Sequence, residues 1–296
     1  VSGSGRYLTD ISLCDARTDG SLAAPVKMEP VRHYNNMSDI LHFSHANGFP
    51  GGSYRQMLGI LAEHYDVRVT DRLAHNPLYP VTNNWDQLCN ELIHFFEQEY
   101  QQPVIAVGHS LGGLLSLMVA VRRPDLIKAL VMLDAPALTR LQAGGLKMAK
   151  KLGLVDRITP GGRSNGRRAQ WSSREEALSY FSAKTLMRGF GPGCLEDYVD
   201  AGTEPCGDGV RLRFDPETEL SIYRTIPDNI RAKRPLLMPG CVVGGRASKV
   251  FKPVNAELMR RRLGMSVRWL PGSHMFPLEH PGKTAEIIHH WLEQAL

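Results

Sequence analysis

Cysteine is scarce in this chain and follows no pattern. The five cysteines among 296 residues form no C-x-x-C pair and have no regular spacing. Small secreted domains depend on clustered cysteines for their disulfides, so this sequence is unlike a disulfide scaffold. The first residues also lack the charged and apolar pattern of a secretory signal peptide. These observations predict reduced thiols and a cytoplasmic protein.

Long hydrophobic runs and dense charge of one sign are also missing. The longest apolar run, Leu114 to Val121, is interrupted by Ser116 and is far shorter than the roughly 20 residues of a membrane span. The net charge is +5, but basic residues cluster only at 163–168 and 260–262, without the interleaved aromatics of a nucleic-acid interface. The sequence therefore predicts no membrane span and no nucleic-acid partner. A solvated basic face explains the excess of cations.

Metal-ligand clusters are equally hard to find. His42 and His45 have the spacing H-x-x-H, but on a strand this spacing places the two side chains on opposite faces. No acidic or histidine partner follows them at ligand spacing. The sequence predicts no metal site here.

The most informative stretch runs from Pro103 to Gly113. An apolar, partly β-branched strand enters Gly-His-Ser-Leu-Gly, and a helical pattern follows directly. Gly108 and Gly112 remove the side chains that would clash in so tight a turn, and Ser110 is left standing at the edge of the sheet. The alternative is an ordinary glycine-rich turn, but the position between an apolar strand and a helix favours a nucleophilic serine.

Strands alternate with helices in the first half of the chain. Amphipathic helical segments separate the apolar strand segments at 40–44, 65–70, 103–107 and 126–133. This pattern predicts an α/β fold with a mostly parallel sheet and helices on both faces.

The alternation stops near residue 138. Residues 138–230 show helical patterns and no strand of the earlier kind, and the apolar segments at 234–239 and 266–270 resume the sheet. We therefore expect an inserted, largely helical segment at 138–230, between two strands of the sheet. The core would comprise residues 1–137 and 231–296, and its first 37 residues would form an arm with two weak edge strands, Tyr7–Leu13 and Val26–Tyr34.

A serine nucleophile needs a histidine base, and the base needs a carboxylate to orient it. His274 follows the last predicted strand in a Gly-Ser-His turn, and Asp134 ends the strand that comes after Ser110. The order Ser110, Asp134, His274 is one that serine hydrolases use. Asp134 could also cap the turn before Pro136, and Glu279, five residues after His274, is the rival acid.

An oxyanion hole is expected beside the serine. One N–H would come from Leu111, directly after the nucleophile, and a second from the loop Asn47-Gly48-Phe49 that follows the first strand. The Asn47 side chain is a further potential donor.

Four motifs together resemble the α/β-hydrolase superfamily over residues 38–296. They are the His-Ala-Asn-Gly-Phe-Pro loop, Asp71-Arg72 after the following strand, the Gly-His-Ser-Leu-Gly-Gly turn and the Gly-Ser-His-Met-Phe-Pro-Leu-Glu-His-Pro segment near the end. The resemblance implies an eight-stranded sheet with residues 138–230 as a helical cap. Most members carry the acid after the strand expected to end at Pro239, and no carboxylate follows there. Asp134 matches the earlier position used by some lipases and haloalkane dehalogenases.

Ser110 indicates acyl transfer to water. Relatives that attack sp³ carbon, such as epoxide hydrolases and haloalkane dehalogenases, have an aspartate at this point, so a carboxylic ester hydrolase without a cofactor is the leading hypothesis. A carbon–carbon bond hydrolase or a cofactor-free perhydrolase would use the same serine. A ligand-binding relative with little turnover is the alternative from a different class.

Aromatic and sulfur-containing residues supply the expected contacts to a small apolar acyl substrate. Packing in the interior would explain most of them equally well. The sequence also predicts either a monomer or a homodimer. The substrate-contact residues predicted from the sequence are His109, Trp171, Tyr180, Phe190 and Met275, with Phe181, Met187 and Tyr198 as further cap candidates.

Overall fold

The computed structural model describes residues 39–164, 166–230 and 234–296. The two predicted edge strands, Tyr7–Leu13 and Val26–Tyr34, lie outside the described residues. No helix in the described ranges combines the length and the apolar character needed to cross a membrane.

Nine strands are present in the part of the chain that the structure describes. In chain order they are β1 (Ile40–Ser44), β2 (Asp66–Val69), β3 (Val104–His109), β4 (Ile127–Leu133), β5 (Gln170–Trp171), β6 (Thr203–Cys206), β7 (Gly209–Leu212), β8 (Gly240–Gly245) and β9 (Ser266–Leu270).

The helices connect these strands. They are α1 (Arg55–Leu61), α2 (Asp86–Glu99), α3 (Leu111–Arg122), α4 (Arg140–Lys151), α5 (Val155–Ile158), α6 (Gly161–Ser164), α7 (Arg174–Ser182), α8 (Cys194–Gly202), α9 (Pro216–Arg224), α10 (Pro253–Leu263), α11 (Phe276–Glu279) and α12 (Pro281–Ala295), with short 3-10 helices at Gly51–Tyr54, Asn83–Trp85 and Pro124–Leu126.

Six strands form the main sheet, in the order β2-β1-β3-β4-β8-β9. Every neighbouring pair in it is parallel. The α/β prediction with a mostly parallel sheet is confirmed. Of the eight strands that the resemblance implied, the described residues contain these six. Because parallel strands end at the same edge, the loops after β1, β3, β4, β8 and β9 are brought together there.

Alternate residues of the central strands are buried on opposite faces of the sheet. On β3, Ile105 and Val107 pack with α1 and α12, whereas Val104 and Ala106 pack with α2, α3 and α10. The whole of β3 is buried, as expected for a strand covered on both faces. This explains why the strand appears in the sequence as a continuous apolar run.

The predicted strand at 234–239 is wrong, and β8 lies directly after it. Pro235 and Pro239 supply no N–H to a ladder, and the run instead leads into the buried strand Gly240–Gly245. Three of the six residues of β8 are glycine, a residue with low strand propensity. A Cβ on Gly244 would lie 2.4 Å from Cδ1 of Phe251, so the strand needs glycine where the ring packs.

The segment between β4 and β8 is mostly helical but contains a small sheet. Strands β5, β7 and β6 pair antiparallel in that order, a small sheet that the helical patterns of this segment did not indicate. They are only two to four residues long, which is too short for an alternating pattern to show in the sequence. Trp171, Phe181 and Tyr198 from this segment pack into the same apolar cluster as β1 and β3. The division at 137/138 and 230/231 stays a prediction.

Candidate active site

The turn between β3 and α3 has the strained geometry that its glycines suggested. Ser110 has φ 51° and ψ −108°, a conformation that L-residues seldom adopt. A Cβ on Gly108 would lie 2.4 Å from the carbonyl carbon of Gly112, and one on Gly112 would lie 2.1 Å from the carbonyl oxygen of Ser44. The two glycines therefore let α3 begin directly against β1 and β3.

Backbone bonds fix this turn to its neighbouring strands. The N–H of Ser110 donates to the carbonyl of Leu133 at 2.9 Å, and the N–H of Gly112 donates to the carbonyl of His45 at 3.0 Å. The serine is thus held between the ends of β4 and β1, with its side chain at the edge of the sheet.

Ser110, His274 and Asp134 meet at this edge. Nε2 of His274 lies 3.1 Å from Oγ of Ser110, and Nδ1 lies 2.7 Å from Oδ2 of Asp134. The Asp134 side chain is fully buried, whereas that of His274 is 25% exposed. The structure brings together the three residues that sequence analysis selected, although they are far apart in the chain.

Asp134 is held by donors that sequence analysis missed. Oδ1 accepts the N–H of Gly245 at 2.8 Å, and Oδ2 accepts the hydroxyl of Ser248 at 2.5 Å as well as His274. Gly245 ends β8, and Ser248 lies in the loop that follows. Because the sequence placed this strand at 234–239, it did not indicate that these two residues lie at the edge of the sheet. The loop that lacks a carboxylate therefore supplies hydrogen-bond donors to the carboxylate on β4.

Glu279 contacts the loop beside His274 and not the histidine ring. Its Oε2 accepts the N–H of Ser273 at 2.7 Å, and its Oε1 accepts the Ser273 hydroxyl. Gly272 precedes this contact with φ 112°, and a Cβ there would lie 2.5 Å from Oε2 of Glu279. The rival acid is thus placed as an anchor of the Gly272–His274 turn.

His109 lies in the interior behind His274. Its Nε2 donates to the carbonyl of His274 at 2.9 Å, so Nδ1 accepts the hydroxyl of Tyr54 at 2.7 Å. Burial holds the pKa of His109 well below its ordinary value, and the neighbouring His274 lowers it further. Both ring nitrogens are bound to protein groups, and Nε2 supports the backbone of His274. Tyr54 had no signal in the sequence.

The loop after β1 uses two of its predicted donors for hydrogen bonds within the protein. The N–H of Phe49 donates to the carbonyl of Ala46 at 3.1 Å, and Nδ2 of Asn47 donates to the carbonyl of Glu219 at 3.0 Å. Gly48 has φ 77°. Leu111 begins α3, where first-turn amides have no acceptor within the helix.

A buried ion pair lies behind this loop. Nη1 of Arg167 is 2.9 Å from Oε2 of Glu219, whose side chain is only 6% exposed. A Cβ on Gly48 would lie 3.1 Å from the Glu219 carboxyl carbon, so the carboxylate packs directly against the loop. An unpaired Glu219 carboxylate would repel negative charge that develops near this loop. The guanidinium of Arg167 offsets that repulsion. Neither residue was selected from the sequence.

The predicted substrate-contact residues fall into two groups. Trp171 and Met275 are almost completely buried, and Tyr180 packs against Trp171 with Nζ of Lys184 3.9 Å from its ring centroid. Phe190 is half-buried, and its ring centroid lies 6.3 Å from that of Phe49. Phe190 and the further candidate Tyr198 are both in ring contact with Phe49 of the predicted oxyanion loop, and the centroids of Tyr198 and Phe49 are 5.0 Å apart.

His42 and His45 are buried separately. His42 bonds the hydroxyls of Tyr100 and Thr70, and His45 bonds the carbonyl of Ala46 and the N–H of Leu73. Burial lowers the pKa of His42 to about 3 and that of His45 to about 4. In the described ranges, no group of three His, Cys, Asp or Glu side chains is arranged to hold a metal ion.

Comparison with known proteins agrees with this architecture. The profile of the alpha/beta hydrolase family matches residues 43–287. A curated relative, the sn-1-specific diacylglycerol lipase ABHD11 of Danio rerio, is 29% identical over 75 residues, which are 25% of this chain and 22% of that protein. The matched part thus spans about a fifth of the relative's length.

Solved structures show the same fold at low sequence identity. E-2-(acetamidomethylene)succinate hydrolase superposes with a TM-score of 0.69 and 18% identity, covering 86% of this chain and 91% of that one. The enol-lactonase from Burkholderia xenovorans LB400 gives 0.61 and 16%, covering 88% and 94%. Identities this low establish the architecture and not the substrate.

Proposed function

We propose that this chain, which belongs to the alpha/beta hydrolase family, is a serine hydrolase that cleaves a carboxylic ester through an acyl-enzyme. One observation carries the proposal: the continuous contact from Ser110 Oγ to His274 Nε2 at 3.1 Å and from His274 Nδ1 to Asp134 Oδ2 at 2.7 Å. A histidine in this position activates the serine hydroxyl as a nucleophile, and a carboxylate in this position keeps the histidine in the correct tautomer.

In the proposed first half-reaction, Ser110 Oγ attacks the ester carbonyl while His274 Nε2 takes the hydroxyl proton. The negative charge on the carbonyl oxygen is stabilised by the Leu111 N–H and by the loop at Asn47 and Gly48. His274 then gives its proton to the departing alcohol oxygen, the carbon–oxygen bond breaks, and the acyl group remains on Ser110. Asp134 stays ionised and stabilises the transient imidazolium.

The second half-reaction repeats these steps with water. His274 takes a proton from water, the hydroxide attacks the acyl carbonyl, and Ser110 leaves with the proton that His274 returns. The products are a carboxylic acid and the free enzyme. The scheme uses only residues of this chain and no cofactor.

We assign residues 138–230 to a cap that contributes apolar substrate contacts. The ring contact between Phe190 and Phe49 supports this assignment, because it joins the segment to the loop beside Ser110. A small apolar acyl group is the substrate class that such a lining suits. The buried thiols Cys89, Cys194 and Cys241 support the expectation of a reducing, cytoplasmic location. A monomer or a homodimer remains the expected state.

The test compares p-nitrophenyl acetate, butyrate and octanoate hydrolysis by the wild type, Ser110→Ala and His274→Ala. We expect steady turnover by the wild type and a loss on the order of 10³-fold or more in kcat for each variant. A burst of one equivalent without turnover would favour the ligand-binding alternative. Turnover that survives Ser110→Ala would refute the proposal.

A further inference from the structure

Helices α4 and α5 present large apolar side chains to solvent. Leu141 is 87% exposed, Met148 55%, Leu152 62% and Ile158 61%. Residues 148 and 152 follow residue 141 by seven and eleven positions, so the three lie on one face of α4 and its C-terminal cap. A face this apolar is costly to leave in water, and contiguous exposed apolar patches mark interaction sites.

A basic residue directly precedes each of these apolar residues. The pairs are Arg140-Leu141, Lys147-Met148, Lys151-Leu152 and Arg157-Ile158, and all eight residues are exposed. We refer to these eight residues as the basic–apolar face. On α4 the cations form their own stripe, parallel to the apolar one, because they share its spacing of seven and eleven residues.

Acidic residues do not balance this charge within the segment. Residues 138–158 contain five cations and a single acid, a net charge of +4. The acid, Asp156, is bonded to Arg224, and the fifth cation, Lys150, is bonded to Asp228. The net charge of this segment, +4, compares with +5 for the whole protein.

The rest of α4 is fixed to the core, so this face is not a loose segment. Leu146 and Ala149 are buried, Thr139 and Gln142 form a capping box, and the Asn255 amide donates to Gln142 at 2.8 Å. On the outer side, a Cβ added at Gly144 or Gly145 would meet nothing within 4 Å. The helix has one packed side and one open side.

We propose that the basic–apolar face docks onto an anionic lipid surface. Amphipathic helices bind there by burying apolar side chains roughly 5–10 Å into the boundary between headgroups and acyl chains, while flanking cations contact phosphates. The adjacent stripes of cations and large apolar residues supply both contacts along α4. Docking uses no residue of the proposed active site, so it stands or fails independently of ester hydrolysis.

Charge distinguishes this occupant from a second copy of the chain. A twofold-symmetric dimer through the same face would oppose two surfaces of like charge, each with four cations, and that repulsion disfavours self-association. An anionic bilayer instead attracts the cations and also accepts the leucine, isoleucine and methionine side chains.

The test is co-sedimentation of the purified protein with two kinds of vesicle at neutral pH. One kind is phosphatidylcholine alone, and the other is phosphatidylcholine mixed with phosphatidylglycerol, each at low and physiological ionic strength. We expect binding to the anionic vesicles that weakens with salt. Lys147→Glu with Lys151→Glu, and separately Leu141→Ser with Met148→Ser, should each lower the partition constant by about tenfold or more.

Matched controls separate this face from charge and apolarity in general. Arg262→Glu with Lys283→Glu changes the net charge equally at two exposed positions elsewhere, and Leu237→Ser removes a leucine that is 75% exposed. Both should bind like the wild type, and circular dichroism should show every variant folded. Absence of wild-type binding, or equal loss in the controls, would overturn the proposal. Loss of dimerisation instead of lipid binding in the apolar variant would identify a second copy as the occupant.

Discussion

At the residue scale, the environment of Asp134 is the most informative. Its backbone lies in the left-handed region with φ 46°, and its two oxygens accept hydrogen bonds from Gly245, Ser248 and His274. A buried carboxylate is tolerated only when its lone pairs are satisfied in this way. Ser248 is therefore a positioning residue for Asp134.

Asp134→Asn should lower kcat by on the order of 10⁴-fold, because the amide no longer stabilises the imidazolium and favours the wrong tautomer of His274. Ser248→Ala should lower kcat by about tenfold with little change in KM, since it removes one charge-assisted bond from Asp134. Steady-state kinetics on a p-nitrophenyl ester measure both.

Ser248→Thr is the control, because it keeps the hydroxyl and should restore most of the rate. Glu279→Gln tests the rival acid. It should lower kcat less than Asp134→Asn does, because the Glu279 carboxylate accepts its hydrogen bonds in this turn from Ser273. A larger loss for Glu279→Gln would contradict the assignment of the acid to Asp134.

Sequence analysis could select residues whose role depends on a local motif. Ser110 and His274 follow strands in glycine-bearing turns, and Asp134 ends a buried strand. Tyr54 and Arg167 had no such signal, because their partners His109 and Glu219 lie far away in the chain and meet them only through the tertiary fold.

At the scale of elements, β8 shows where the sequence pattern fails. The run Gly240–Gly245 is rich in glycine, yet all of it is buried. Its glycines make room for neighbours: a Cβ on Gly244 would lie 2.4 Å from Phe251 and 2.7 Å from Trp269, and one on Gly245 would lie 2.3 Å from the carbonyl oxygen of Ser273. Strand propensity is set by such packing, which a single sequence does not display.

Gly244→Ala should therefore destabilise the protein by about 1–3 kcal/mol, because the added methyl group overpacks two aromatic rings. Gly59→Ala is the matched control. Gly59 lies in helix α1, and a Cβ there meets nothing within 4 Å, so alanine should stabilise the helix by about 0.5–1 kcal/mol. Urea unfolding of both variants measures the free energies. Equal effects of the two substitutions would contradict this account of β8.

At the scale of the whole molecule, buried histidines couple folding to pH. Burial lowers the pKa of His42 to about 3 and the pKa values of His45 and His75 to about 4, and it holds that of His109 well below its usual value. Each of these groups stays neutral in the folded chain and takes up a proton in the unfolded chain below about pH 6.5. Their contribution to stability is present above that pH and is lost as the pH falls towards the folded pKa.

Glu91 changes the pH dependence of the unfolding free energy in the opposite direction. Burial raises its pKa to about 7, so its contribution is present below about pH 4.5 and is lost as the pH rises through 7. Between about pH 5 and 6.5, the pH dependence that Glu91 adds to the unfolding free energy cancels that of about one buried histidine.

The unfolding free energy should therefore fall as the pH is lowered from 7 to 5, with a slope on the order of 3 kcal/mol per pH unit near pH 5.5. Urea unfolding at a series of pH values measures this slope. His75→Gln should make it shallower by the equivalent of about one proton. A free energy that stays constant or rises over this range would show that the histidines are not buried neutral.

The fold class was predictable from the sequence because both faces of the sheet are covered. Burial on both sides makes Val104–Val107 of β3 a continuous apolar run and leaves β1 and β4 mostly apolar, and amphipathic helices separate these strands. The small sheet β5-β7-β6 was not predictable, because its strands are only two to four residues long and are fixed by pairing with each other.

The central claim is that His274 and Asp134 activate Ser110, and covalent labelling tests it most directly. The purified protein would be incubated with a fluorophosphonate at neutral pH, followed by intact mass measurement and peptide mapping. We predict one equivalent of label on Ser110 in the wild type, and none on this serine in His274→Ala within the same time. Label on another residue, no label on the folded wild type, or equal labelling of His274→Ala would contradict the claim.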